Sequence, residues 1–112
     1  MLHRIAAYIM CALVAMTFSS AAYADNLNRW VRVINDTSTS MMRFHASNED
    51  ATSWQEDMLG SQILGPRQSV LVEIDDGSDH CIYDFKAVFS DGAEVKRYNY
   101  NVCLQATWTV YD

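Results

Sequence analysis

Positive charge is scarce in this chain. Of its 112 residues, 8 are Lys or Arg and 14 are Asp or Glu, for a formal net charge of −6 with histidine neutral. That balance argues against a nucleic-acid partner, because phosphate binding needs a basic face. Proline occurs once and glycine four times, and no repeat, low-complexity tract or linker is visible. No G-x-S-x-G elbow and no Cys-x-x-Cys pair occurs, which removes the usual signatures of a serine hydrolase and of a dithiol redox centre. Beyond Phe18 there is no apolar run approaching the ~20 residues of a membrane helix.

The apolar residues that are present gather at one end. Ile5 to Phe18 is almost unbroken, preceded by His3 and Arg4 and followed by Ser19, Ser20 and the small-x-small triplet Ala22-Tyr23-Ala24. This is the pattern of a secretory signal peptide, with residues 1–24 as the leader and 25–112 as a single β domain. Cys11 falls inside the leader. A chain beginning at Asp25 would keep every acidic residue and is too short for two cores. Localisation is expected to be periplasmic or secreted, with no membrane span once the leader is removed.

Export sets the redox context for Cys81 and Cys103. In an oxidising compartment two cysteines in a small domain most often pair. Closing their separation would stabilise the fold by roughly 3 kcal/mol through loss of unfolded-state entropy. A metal-thiolate or redox-active pair is the rival reading.

Hydrophobic periodicity is close to two over most of the remaining chain. Strands are expected over Arg29 to Ile34, Met41 to Ser47, Gln68 to Ile74, Cys81 to Phe89, Ala93 to Tyr100 and Leu104 to Tyr111. Met42, Phe44 and Ala46 should share one face of the second. Asn35 to Ser38, Asp75 to Ser78 and Asp91-Gly92 read as turns. The fold class is therefore all-β, a small antiparallel sandwich or barrel of about six strands with one disulfide. A two-residue hairpin at Asp91-Gly92 would set Cys81 opposite Val102, and one bulged residue near Asn99 to Asn101 would bring the sulfurs together.

Asn48 to Leu64 lacks alternation. Ser53 and Glu56 have capping-box spacing, so one helical turn is expected there, with Gly60 as its end. Trp54, Met58 and Leu59 would then aim together as a plug on one end of the core. The competing account has Trp54 standing out as a binding anchor.

The order Trp54-x-x-Asp57-x-Leu59-Gly60, Cys81-x-Tyr83-Asp84, Asp91-Gly92 and Asn101-x-Cys103 resembles a group of small secreted bacterial β-proteins that are uncharacterised. The likeness spans most of the chain from the Asn35 turn to Cys103. It implies an exported β domain with a disulfide and brings no activity with it. Gln55 departs from the pattern, where glycine is expected after the tryptophan.

Three sets of residues are candidates for chemistry. Glu73, Asp75, Asp76 and Asp79 crowd one strand end and turn, as oxygen ligands for calcium do, although not at EF-hand spacing. Met41, Met42, His45 and His80 are of the types that hold copper, but Met42 also fits the apolar face of its strand. Trp30, Trp54, Tyr98 and Tyr100 could form a binding surface, with Tyr98 and Tyr100 on one face of their strand. The function expected is an exported, small, acidic binding module without catalysis, meeting a protein or glycan partner. Its negative charge would speed encounter with a basic one. The alternative is a structural domain stabilised by calcium at Glu73 to Asp79; no other cofactor is expected. Intact mass of the protein recovered from outside the cytoplasm should correspond to a chain starting at Asp25, and a mass that retains residues 1–24 would refute export by a cleaved leader.

Overall fold

A computed structural model describes residues 27–112; the expected leader, residues 1–24, and its cleavage site lie outside them. Six strands form, β1 (Trp30–Asp36), β2 (Met41–Asn48), β3 (Ser69–Glu73), β4 (Ile82–Phe89), β5 (Glu94–Asn101) and β6 (Thr107–Tyr111). They make two three-stranded sheets, ordered β3-β1-β6 and β2-β4-β5. No helix occurs among the described residues. The fold is all-β with one disulfide, Cys81–Cys103.

Alternation places one face of each strand inward. Val31 and Val33 of β1 and Tyr83, Phe85, Ala87 and Phe89 of β4 are buried. The two sheets meet in an aromatic cluster. The Phe85 ring lies 5.2 Å from Phe44, 4.9 Å from Tyr100 and 5.2 Å from Trp108. Trp108 comes from the first sheet and the other three from the second, so these rings join the two layers.

One pairing differs from the all-antiparallel expectation: β6 runs parallel to β1, with Val33 opposite Trp108. The connectivity explains it. β5 ends beside the start of β4, and the chain then crosses to the first sheet through a tight turn, Leu104 N and Gln105 N both donating to Asn101 O. β6 therefore enters at the end where β1 begins, and both run the same way.

Bulges alter two expected faces. In β2 a register shift between Met41 and Arg43 buries Met41 with Phe44 and leaves Met42 half-buried, so Met42 is not the core partner of Phe44 and Ala46. In the β4–β5 hairpin the turn has three residues rather than two. Phe89 N donates to Ala93 O at 2.9 Å, and Gly92 takes φ +87°, the left-handed position that ends such a turn. A bulge at Asn99, φ 57°, then shifts the register between Tyr83 and Phe85. Beyond it Val102 N donates to Cys81 O, and the cysteine Cα atoms stand 5.3 Å apart. The same bulge inverts the strand. Tyr98 faces outward and Tyr100 is buried, so the two tyrosines do not share a face.

The segment without alternation is a ragged return along the free edge of β2. His45 bridges Asp57 and Met41 bridges Leu64. Asp57 replaces the expected capping box: its Oδ1 accepts from Phe44 N at 2.9 Å and Leu59 N at 3.0 Å. Leu59 reaches the core and Met58 packs against it, whereas Trp54 does not join them.

Each end of the domain is tied by one buried polar side chain. Asn35, read from sequence as a turn residue, lies within β1 and is 0% exposed. Its Nδ2 donates to Thr39 O, Leu64 O and Gly65 O at 2.8–3.1 Å, and its Oδ1 accepts from Thr37 Oγ1 at 2.6 Å. At the opposite end the Arg29 guanidinium donates to His80 O at 2.7 Å and Asp79 O at 3.0 Å, beside the disulfide. Asn35→Ala leaves buried carbonyls without a donor, each costing about 1–3 kcal/mol. Urea unfolding should show a loss of about 3 kcal/mol with an unchanged slope; a loss below about 0.5 kcal/mol would refute the role of this amide.

Candidate functional site

The acidic turn is held by its own hydrogen bonds. Asp76 accepts from Asn48 Nδ2 at 2.9 Å, Ser78 N at 3.0 Å and Tyr83 OH at 2.8 Å, and also from Ser78 Oγ. Desolvation acts to raise its pKa. The bonds from Ser78, Asn48 and Tyr83 outweigh that and hold the carboxyl well below the usual range. Desolvation first, and the bond to Asp76 second, push Tyr83 up to about 12. Asp75 accepts from Gly77 N at 2.9 Å. Among the described residues no group of three His, Cys, Asp or Glu converges to hold a metal. Glu73, Asp75, Asp76 and Asp79 lie at a strand end and turn in which Asp75 and Asp76 are each engaged by a backbone amide.

The network continues to His80, whose Nδ1 lies 2.7 Å from Ser78 Oγ and whose Nε2 lies 2.8 Å from Asp50 Oδ2. These are the residue types of an acyl-transfer triad, which sequence spacing did not reveal because Asp50 is 30 residues away. The Ser78 hydroxyl also contacts Asp76, so it is shared between that carboxylate and the imidazole. A doubly protonated His80 satisfies both contacts.

The aromatic candidates separate between the core and two outer faces. Trp30 is 42% exposed on the outer face of the first sheet, paired with Glu73. Tyr100 is in the core. Trp54 and Tyr98 come together on the outer face of the second sheet, ring centroids 6.5 Å apart and planes inclined by 36°. Lys86 Nζ lies 5.1 Å from the Trp54 ring centroid. Trp54 is half-buried, so it neither plugs the end of the core nor stands free.

The platform is fixed from below. Past Trp54, Gln55 N donates to Ser47 Oγ at 2.8 Å, and the Gln55 carbonyl accepts from His45 Nδ1 at 2.7 Å. Met58 N donates to Phe44 O at 2.7 Å. Before it, Asp50 N and Ala51 N turn back onto Asn48. Asp84, opposite the bulge, accepts from Asn99 N at 2.9 Å and so sets the aim of Tyr98. A cleft of about 220 Å³ opens between the loop and this sheet, lined by Ser47, Thr52, Ser53, Trp54, Asp84 and Tyr98. A larger groove of about 450 Å³ runs between the β3 edge and Glu56 to Gly60, rimmed by Glu56, Asp57 and Glu73. Comparison with protein families, curated proteins and solved structures finds no match.

The His80 pKa is raised, chiefly by its hydrogen bond to Asp50, against desolvation and with the charges of Asp50, Glu49 and Asp76 adding to it. A group raised in the folded state stabilises fully below its unfolded value of about 6.5, and that contribution disappears as pH rises through the folded value. Proton NMR should place the His80 midpoint above 6.5, and Asp50→Asn should lower it. A midpoint unmoved by Asp50→Asn would refute the pairing.

Proposed function

We propose that the chain is an exported binding module that engages its partner through the Trp54–Tyr98 face and carries out no catalysis. The observation that carries this reading is the outward aromatic pair itself. A half-buried Trp and a Tyr exposed by 54% are held on a sheet by a stapled loop and a bulge. Core packing has no need of either ring. Rigid aromatics over polar neighbours supply contact area at low entropic cost.

Compartment enters through the same physics. A disulfide persists in oxidising surroundings, and no helix among the described residues is long and apolar enough to cross a membrane. With the leader read from residues 1–24, these support a periplasmic or secreted domain. The excess of acidic groups steers diffusional encounter and keeps the domain soluble.

Trp54→Ala and Tyr98→Ala test the reading together. Each should cost about 1 kcal/mol, the worth of a surface aromatic pair, against 3–5 kcal/mol for truncating a core ring. Immobilised wild-type protein should retain a component of an envelope extract from the exporting cell that both variants release. Equal retention by the variants would overturn the assignment of this face.

A further inference from the structure

We infer that the cleft beside Trp54 binds a single neutral sugar ring of a glycan, an inference that rests on the assignment of this face as the binding site. Its dimensions come first. About 220 Å³ accommodates one pyranose and is below the usual 300–1,000 Å³ of drug-sized pockets. Its chemistry divides as a sugar does. Trp54 and Tyr98 present ring surface to the apolar C–H face of a pyranose, and the remaining walls offer hydroxyls and a carboxylate to its hydroxyl rim.

Several of those polar groups have unused capacity. Ser47 is only 5% exposed, and its Oγ accepts from Gln55 N. Its own proton has no acceptor among the described residues, although buried donors are almost always paired. Asp84 commits Oδ1 to Asn99 N, and its second oxygen takes no bond from a described residue. The hydroxyls of Thr52 and Ser53 likewise meet no described partner. An occupant with several hydroxyls, each both donor and acceptor, would use all of these at once.

Charge does not select a cationic side chain as occupant. The Asp84 carboxylate would attract one, but Lys86 already lies over the Trp54 ring, so a second ammonium or guanidinium would meet like charge where a ring attracts cations. A neutral ligand meets no such cost, and the Lys86 ammonium adds hydrogen-bond donors beside the cleft.

The test uses the purified protein with ¹⁵N label, which separates the indole N–H signals of the tryptophans. The probes are tetrasaccharides of β-1,4-linked N-acetylglucosamine, β-1,4-linked glucose and α-1,4-linked glucose, with a Lys/Arg-rich decapeptide as the competing class. At least one sugar should shift the Trp54 indole, Ser47 and Tyr98 signals saturably, with a dissociation constant on the order of millimolar for one stacked ring. Trp54→Ala should abolish the shifts. Asp84→Asn keeps an oxygen for Asn99 N but loses an anionic acceptor, and should weaken binding roughly tenfold. Trp30→Ala, on the other sheet, should leave it unchanged. Shifts with the peptide and none with any sugar would overturn the sugar assignment while leaving the face as the binding site. Sugar shifts that persist in Trp54→Ala would overturn the cleft. Envelope retention through Trp54 and Tyr98 without a response to any sugar would also refute the sugar and keep the face.

Discussion

The buried amide of Asn35 holds together parts of the chain that no backbone ladder joins. Each sheet has only three strands, and the two sheets share no strand pairing. Side chains must therefore fix one layer on the other. Asn35 lies on β1, yet it donates to Thr39, where the chain leaves for β2, and to Leu64 and Gly65, where it returns for β3. One side chain thus sets both crossings at this end. Arg29 and the Cys81–Cys103 bridge do the same at the other end, gathering the start of β1, the turn before β4 and the exit of β5. Packing of Phe44, Phe85, Tyr100 and Trp108 joins the layers between these two ends.

Clamping the ends by polar groups frees the outer faces. On the second sheet that freedom is used by the Asn99 bulge, which serves core and surface together. Without it the alternation of β5 would send Tyr98 and Tyr100 to the same side, and either the core would lose a ring against Phe85 or the platform would lose its partner for Trp54. The accommodation is local. Asn99 tolerates a positive φ better than most residues, and the Asp84 carboxylate takes up its amide.

These features mark where sequence reading stopped. Strand positions were legible because a half-buried strand repeats every two residues, and the disulfide because a leader-like start implies an oxidising compartment and the hairpin brings the two cysteines near each other. Each failure of facing lies at a bulge: Met41 for Met42, Tyr100 for an exposed position. A bulge adds one residue to the count without changing residue types, so periodicity carries no trace of it. An unpaired residue near Asn99 to Asn101 is expected from the cysteines; in the structure it offsets the third turn residue and leaves Cys81 against Val102, and its effect on the tyrosines has no trace in the sequence. Trp54 was ambiguous for another reason. Ser53 and Glu56 have helix-start spacing, but Asp57 bonding across to Phe44 N captures the segment as an edge partner of β2, a tertiary contact that local propensity does not contain. Asn35 looked like a turn residue because Asn is common in turns, and nothing local says that its neighbours will surround it.

The net acidity of the chain has part of its explanation in its turns. A chain with one proline and four glycines has few residues that bend the backbone by covalent geometry alone. It bends by side-chain capture instead. Asp57, Asp75, Asp76 and Asp91 each accept from the amide two residues ahead, as do Asn28, Asn48 and Asn101. Such Asx turns replace one backbone bond with a carboxylate or amide oxygen. Dense Asp at 75 to 79 is then a requirement of reversing the chain before β4, where Asp76 also binds Asn48 and Tyr83 and so reaches β2 and the core. Part of the negative charge is thus a consequence of how the turns are made, whereas Trp54 and Tyr98 stand outward on the second sheet with no part in any of these turn bonds.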